Sequence, residues 1–353
     1  MAQLSYREAV AAGIAQEMER DESVVFFGED VAKPGGVFKT TVGLYDRFGA
    51  RRVKDTPISE QAILGAAVGA AMTGLRPVAE IMFSDFFAVC WDLIANQMAK
   101  TRYMTAGQCS IPLVVRTANG GGVQFGAQHS QSVENWAMAV PGLKVVAPST
   151  PADVKGLLAA AIRDPDPVIF FEQKSLYATK GEVPDGEHVE ELGKARIVRD
   201  GSDLTILALA AMVPRAIQAA DRLEKEQGIS ASVVDVRSLV PLDTSTILRE
   251  VSRTHRVVTV EENPRLCGWG AVVASIIAAI RQALENTPPE LSGDIISAGI
   301  YLAGGGALLR GLDRRVSEEL NIEVRVADDA IAAVVEGAGK TLDAMETYKE
   351  VLL

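Results

Sequence analysis

The feature that most constrains this chain is a rhythm. Short runs rich in β-branched and aromatic residues recur at Ser23 to Gly28, Val78 to Phe83, Ile111 to Thr117, Leu143 to Ala147 and Pro167 to Glu172. Helical periodicity fills Ser5 to Arg20 before them and the stretches 60–75, 86–101 and 151–163 between them. Strands that alternate with helices predict a mainly parallel sheet covered by helices on both faces. A polar, turn-rich segment follows at about 175–200, with Lys180-Gly-Glu-Val-Pro-Asp-Gly-Glu and Arg199-Asp-Gly-Ser. A second series then begins at Leu204. It runs through a helix near 211–228, a strand at 231–237, a helix at 243–254 and a strand at 256–261. At 353 residues the chain is long for one core, so two α/β domains are expected.

A formal net charge of -11 argues against a nucleic-acid or anionic-membrane partner, since each needs a basic footprint. Cys90, Cys109 and Cys267 are too widely spaced for a disulfide framework or a CxxC pair, and they are expected as buried apolar residues. The first residues lack a basic region followed by an apolar stretch, and the apolar run Ala62 to Leu75 is short and rich in Gly and Ala. The expectation is no transmembrane segment and a cytoplasmic location.

Asp55-Thr-Pro-Ile-Ser-Glu60 opens an apolar helix, and alone it is an ordinary helix start, where a carboxylate meets the positive end of the macrodipole. His129 lies in Gly120-Gly-Gly-Val-Gln-Phe-Gly-Ala-Gln-His-Ser-Gln131, a glycine-rich loop able to approach a ligand closely. Neither GxxxxGK[ST] nor a strand-linked GxGxxG occurs in residues 1–275, so an independent nucleotide site is not expected there. The histidines His129, His188 and His255 show no metal-ligand spacing. In Phe83-Ser-Asp-Phe-Phe87 the aromatic residues can all be core at a strand-to-helix junction, and Phe87 is read that way.

Taken in order, Gly28-Glu-Asp-Val31, Gly35-Gly-Val-Phe38, Asp55-Thr-Pro-Ile-Ser-Glu60, Gly74-Leu-Arg-Pro77, Gln128-His-Ser-Gln131, Pro141-Gly-Leu-Lys-Val-Val146 and Ala161-Ile-Arg-Asp164 resemble a known family. It is that of the β subunits of thiamine-diphosphate-dependent pyruvate, branched-chain 2-oxo acid and acetoin dehydrogenases, and the resemblance runs from about residue 4 to about 275. It implies two three-layer parallel-sheet domains of transketolase type. The expected boundaries are a pyrimidine-binding domain over 1–175, a linker over 176–203 and a partial C-terminal-type domain over 204–280.

The resemblance also implies roles. Glu60 would exchange a proton with the cofactor's aminopyrimidine, and His129 would handle protons on the substrate side. Glu29, Ile58 and Ser59 would wall the cofactor site, Phe86 would stack on the pyrimidine, and Met82 would do no more than pack nearby. The metal-diphosphate pattern of Gly-Asp-Gly followed by Asn is absent, so Mg²⁺ and the diphosphate are expected on an α subunit in an α₂β₂ assembly that serves a lipoyl acyltransferase core. Backbone carbonyls of Leu113, Ala161, Ile162, Asp164 and Asp166 match a structural K⁺ site, with Asp166 in place of the usual Asn.

Residues 281–353 depart from the family. Thr287-Pro-Pro-Glu-Leu291, Leu302-Ala-Gly-Gly-Gly-Ala-Leu-Leu-Arg-Gly-Leu-Asp313 and Val335-Glu-Gly-Ala-Gly339 resemble the C-terminal end of MreB-type bacterial actins. Strands are expected at Ile300 to Ala303 and Ile322 to Val326, helices at about 307–319 and 329–350, and a capping box at Thr287 and Glu290. Without the rest of an actin, ATP binding is not expected. Three functions follow: the dehydrogenase β subunit, a hybrid whose tail blocks its assembly, or an actin-like nucleotide-binding protein.

Overall fold

The computed structural model describes residues 1–264, 267–285, 300–302 and 324–326. The chain forms two compact units, Met1–Val273 and Ala274–Leu353. In the first unit the strands are β1 (Ala2–Ser5), β2 (Val24–Gly28), β3 (Val53–Asp55), β4 (Arg76–Phe83), β5 (Val114–Asn119), β6 (Lys144–Val146) and β7 (Val168–Gln173). They continue as β8 (Lys180–Val183), β9 (Arg196–Arg199), β10 (Leu204–Ala208), β11 (Ala231–Asp235), β12 (Ser238–Val240) and β13 (Val257–Val260). The helices are α1 (Tyr6–Arg20), α2 (Leu44–Phe48), α3 (Glu60–Met72), α4 (Phe87–Asp92), α5 (Thr101–Met104), α6 (Glu134–Met138), α7 (Pro151–Arg163), α8 (Met212–Gln227), α9 (Thr244–Thr254) and α10 (Trp269–Glu285), the last running past Val273.

Two sheets carry this unit. The larger has the order β12-β6-β7-β5-β4-β2-β3 and is parallel apart from β12. The smaller has the order β13-β10-β11-β9 and is parallel apart from β9. The central strands of the larger sheet are buried along their length, as Val168-Ile-Phe-Phe171 illustrates, because helices cover both faces. Parallel strands all end at the same edge. The loops after β2, β3, β4 and β5 therefore lie side by side, and that edge is where open α/β sheets place their ligands.

Local chemistry fixes the covering helices. α1 starts in a capping box: the Ser5 amide donates to Glu8 Oε2 at 2.7 Å, and the Glu8 amide returns to Ser5 Oγ at 3.4 Å. α7 starts at Pro151, with Thr150 Oγ1 accepting from the Asp153 amide at 3.2 Å. The two helices pack closely at Gly13, where a Cβ would stand 3.3 Å from Lys155 Cα. Arg163 closes the contact by donating to Glu17 Oε1 at 2.8 Å and Oε2 at 2.9 Å.

Inside the larger sheet, Arg116 is buried between two acids. It donates to Glu80 Oε2 at 2.8 Å and to both oxygens of Glu172 at 2.6 and 2.7 Å, while the Tyr177 hydroxyl donates to Glu172 at 3.0 Å. A buried ion of this kind persists only with its partners, and losing one of them typically costs about 3–5 kcal/mol.

The structure differs from the sequence expectations in instructive places. The stretch 86–101 is no single helix: a 3₁₀ turn at Ser84–Phe86, α4, a π-type stretch at Leu93–Met98 and α5 follow one another, and Cys90 leaves helical geometry at φ -122°, ψ 21°. Phe87, Cys90, Ile94 and Met98 still point inward, so the apolar spacing was real, but periodicity cannot distinguish an α-helix from one carrying an extra residue per turn. The segment 176–203 is not bare linker. β8 pairs antiparallel with β1, and β9 pairs antiparallel with β11. β12, unexpected from sequence, joins the larger sheet beside β6. Only Cys90 of the three cysteines is buried, while Cys109 is partly exposed and Cys267 exposed, because both lie in irregular turns rather than in the core.

In the second unit, Ile300–Leu302 (β14) pairs in parallel with Val324–Val326 (β15), with Ile300 opposite Val324. These strands fall within the two expected runs. The expected helices at 307–319 and 329–350, the capping box at Thr287 and Glu290, and the glycines Gly304 to Gly306 lie outside the described residues.

Candidate active site

Four neighbouring loops at the carboxyl edge of the larger sheet bring the expected residues together. Register sets the first two: Gly28 at the end of β2 lies opposite Asp55 at the end of β3, and the Thr56 amide donates to Gly28 O at 2.9 Å. The chain therefore leaves β2 into Glu29 and leaves β3 into Ile58, Ser59 and Glu60 at one place. Gly28 is required there, since a Cβ would stand 2.9 Å from Glu80 Cβ and 2.7 Å from Val31 Cγ1.

Glu60 is the first residue of α3 and is 9% exposed. Its carboxylate takes the helix N-terminus that the macrodipole favours for an anion. Glu29 is half-buried and its carboxyl is held above the usual range, first by burial and then by the nearby charges of Glu60, Glu80 and Asp30. Burial, with Glu60 adding to it, also pushes the Cys90 thiol up to about 12. An acid raised in this way, as Glu29 is, is suited to holding a proton.

Beside the acids lies an aromatic floor. Phe83, at the end of β4, is its hub, with ring centroids 5.5 Å from Phe38, 5.8 Å from Phe86, 6.4 Å from Phe125 and 4.6 Å from His129. The Phe86 ring is partly exposed and lies 5.3 Å from His129, whereas Phe87 is fully buried. Met82 is partly exposed on the same strand. Below the floor, Lys174 Nζ lies 5.4 Å from the Phe83 centroid without a hydrogen-bond partner, and burial lowers its pKa to about 8.

His129 comes from the loop after β5. Gly120 opens that loop at φ +90°, where a Cβ would run into Gln173, and its amide closes the loop onto the far end by donating to Gln131 O at 3.0 Å. Gln131 is anchored in turn, its amide and Nε2 donating to Asp85 Oδ1 at 3.2 and 2.9 Å. Ile58, Phe125, Val37 and Val42 are large apolar residues left exposed in these loops, Ile58 at 83% and Phe125 at 51%. Such an apolar rim around buried acids has the character of a surface that a further chain covers.

The residues expected around K⁺ lie elsewhere, about α7 and β7. Leu113 O accepts from the Val168 amide at 2.9 Å and Ala161 O from the Asp164 amide at 3.3 Å. One guanidinium nitrogen of Arg76 reaches the carbonyls of Ile162 and Asp164 at 2.8 and 3.2 Å. Lys144 pairs with the Asp164 carboxylate and Arg102 with that of Asp166. A carbonyl oxygen has two lone pairs, so each of these oxygens has already engaged at least one with a neighbouring donor, Arg76 in the case of Ile162 and Asp164.

The structure brings the expected Glu29, Glu60, Phe86 and His129 to neighbouring loops and adds Phe83, Lys174 and Asp85, which the sequence did not single out. Phe83 read as core, and Lys174 and Asp85 are single charges beside strand ends.

The fold and this geometry can be set beside known proteins. Residues 2–180 match the transketolase pyrimidine-binding domain, and residues 193–293 match the transketolase C-terminal domain. The chain is 48% identical over 279 residues to the 2-oxoisovalerate dehydrogenase subunit beta of Bacillus subtilis, covering 79% of this chain and 85% of that one. It is 48% identical over 301 residues to the acetoin:2,6-dichlorophenolindophenol oxidoreductase subunit beta of Cupriavidus necator, covering 81% and 88%. Against the Bacillus subtilis pyruvate dehydrogenase E1 component subunit beta it is 45% identical over 281 residues, covering 79% and 85%. Among solved structures, a split-gene transketolase described as an inactive beta4 tetramer superposes with a TM-score of 0.65 at 26% identity, covering 81% of this chain and 86% of that chain.

Proposed function

Because the chain belongs to the family of transketolase-like β subunits of 2-oxo acid and acetoin dehydrogenases, we propose that it supplies the pyrimidine half of a thiamine diphosphate site. The reaction is the oxidative decarboxylation of a 2-oxo acid, or the cleavage of acetoin, with the acyl group passed to a lipoyl acyltransferase core. The cofactor, when bound, supplies the electron sink. The chain's own groups then have defined work. Glu60 holds a proton at the aminopyrimidine edge and takes it back, Phe86 offers a ring face, and Glu29, Ile58 and Ser59 line the pocket. His129 moves protons on the substrate side.

The observation that carries this reading is the buried Glu60 carboxylate at the start of α3, beside Glu29, whose carboxyl is raised first by burial, and an exposed apolar rim. The rim and the acids make half of a site, and an α subunit holding Mg²⁺ and the diphosphate is the other half. K⁺ would sit beside Arg76 on the Leu113, Ala161, Ile162, Asp164 and Asp166 carbonyls. Among the described residues no helix is long and apolar enough to cross a membrane, and we place the assembly in the cytoplasm.

Titration calorimetry with thiamine diphosphate and Mg²⁺ tests this. The chain alone should bind weakly, and the chain with an α subunit of the family should bind tightly. Tight, Mg²⁺-dependent binding by the chain alone would contradict the division of the site. The hybrid-tail reading draws on one observation: β13 pairs only with β10 among the described residues, and Val258 on it is exposed. Chain that failed to join the α subunit would favour it.

A further inference from the structure

The loop that carries His129 has little to hold it from within. Between Gly120 and Gln131, residues 122–128 are exposed, and the internal backbone bonds are Gln124 N to Gly121 O at 3.2 Å and His129 N to Gly126 O at 3.4 Å. Beyond the contacts of Phe125 and His129 with the aromatic floor, its order comes from its foot, residues 131–134, and the smaller sheet reaches that foot. Just beyond β13, Asn263 is buried and spends both protons of one side-chain amide there. It donates to Ser132 O at 2.9 Å and to Glu134 Oε2 at 3.1 Å.

The other oxygen of Glu134 accepts from Asn119 Nδ2 at 2.8 Å, and Asn119 Oδ1 accepts from Ser84 Oγ at 2.7 Å and from the Val133 amide at 3.3 Å. Glu262 adds a second hold, accepting from Ser132 Oγ at 3.4 Å and from Gln173. The chain of bonds runs from the loop after β13, through the loop foot, to the end of β5 and the turn after β4. Both arms of it end at the site.

We propose that Asn263, with Glu134 as its acceptor, is a positioning residue that clamps the His129 loop against the end of the larger sheet, so that the second α/β series orders the first one's active site. This rests on the reading of His129 given above. An amide suits the task because it provides two donors in one plane, one for a carbonyl and one for a carboxylate. The cleft beside the clamp has a volume of about 570 Å³ and its lining includes Ser130 and Gln131 from the loop and Glu261 and Glu262 from beyond β13, so the loop has space to move into when the clamp is lost.

The test compares hydrogen exchange in the full chain for the natural sequence, Asn263→Ala, and Asn263→Leu, which fills the same space without donors. Turnover is measured on the same variants assembled with the α subunit. Exchange of the hydrogen-bonded amides of Gly120, Gln124, His129, Gln131 and Val133 should quicken about tenfold in both variants, the factor that 1.4 kcal/mol makes in an opening equilibrium. The amides of β4 and β5 should be unchanged, and kcat should fall while KM stays within about twofold. Unchanged loop exchange, or a rise shared equally by β4 and β5, would overturn the clamp. A loosened loop with unchanged kcat would leave the clamp in place and remove His129 from the chemistry, so the two readings fail separately.

Discussion

The ring of His129 stands edge-on to the ring of Phe83, with centroids 4.6 Å apart and planes at 85°. Four aromatic neighbours and the Lys174 ammonium meet on Phe83, so the one residue fixes both the floor of the site and the imidazole above it.

Phe83→Leu keeps an apolar side chain but removes the ring face. Edge-to-face pairs contribute about 0.5–1.5 kcal/mol each beyond buried area, and losing the one that orients His129 should lower kcat roughly tenfold. Steady-state kinetics of the assembled enzyme decide it. A change in KM alone, with kcat intact, would mean that Phe83 shapes the pocket without orienting the imidazole.

Asp235 gives a pH dependence of stability far from the site. It is fully buried at the end of β11, where the Ser149 hydroxyl donates to it and the Arg237 amide donates at 3.2 Å; burial, with Asp153 adding to it, lifts its pKa to about 7. An acid raised on folding favours the protonated folded state. Its stabilisation is therefore complete below the unfolded value near 4 and is lost as pH rises to about 7. Asp235→Asn keeps an oxygen for Arg237 and cannot ionise. Its Tm should exceed that of the natural chain at pH 8, with the difference shrinking as pH falls towards 4. An equal difference at both pH values would show that Asp235 does not titrate in this range.

The K⁺ proposal has its own readout. Thermal unfolding in equal concentrations of KCl and NaCl should show a higher Tm in KCl, and Arg76→Met should change the size of that difference because Arg76 shares the Ile162 and Asp164 carbonyls. Identical curves in the two salts would remove the ion from the account.

Much of the larger sheet was legible because its strands are buried on both faces and read as continuous apolar runs, as in Val168–Gln173. β1 and β8 were not, since each is four residues long and they pair Ala2 with Val183 across almost the whole first series. At the candidate site, Glu60 and His129 stand out through ordered family motifs rather than through local pattern, and the structure places both at the same sheet edge. Asn263 was not: its contact with Ser132 spans 131 positions, and a single Asn in a turn carries no mark of its partner. Phe83 was hidden for another reason, since a phenylalanine ending a buried strand is what a core would also contain.

The central claim is that Glu60 exchanges a proton with the aminopyrimidine, and Glu60→Gln addresses it most directly. Glutamine keeps the size of the side chain and its place at the start of α3 but cannot take up and return that proton. Turnover of the assembled enzyme should be measured with cofactor occupancy determined on the same sample. Occupancy should stay near full while kcat falls by about 100-fold or more, within the range that proton-transfer groups contribute. Near-natural turnover at full occupancy would contradict it.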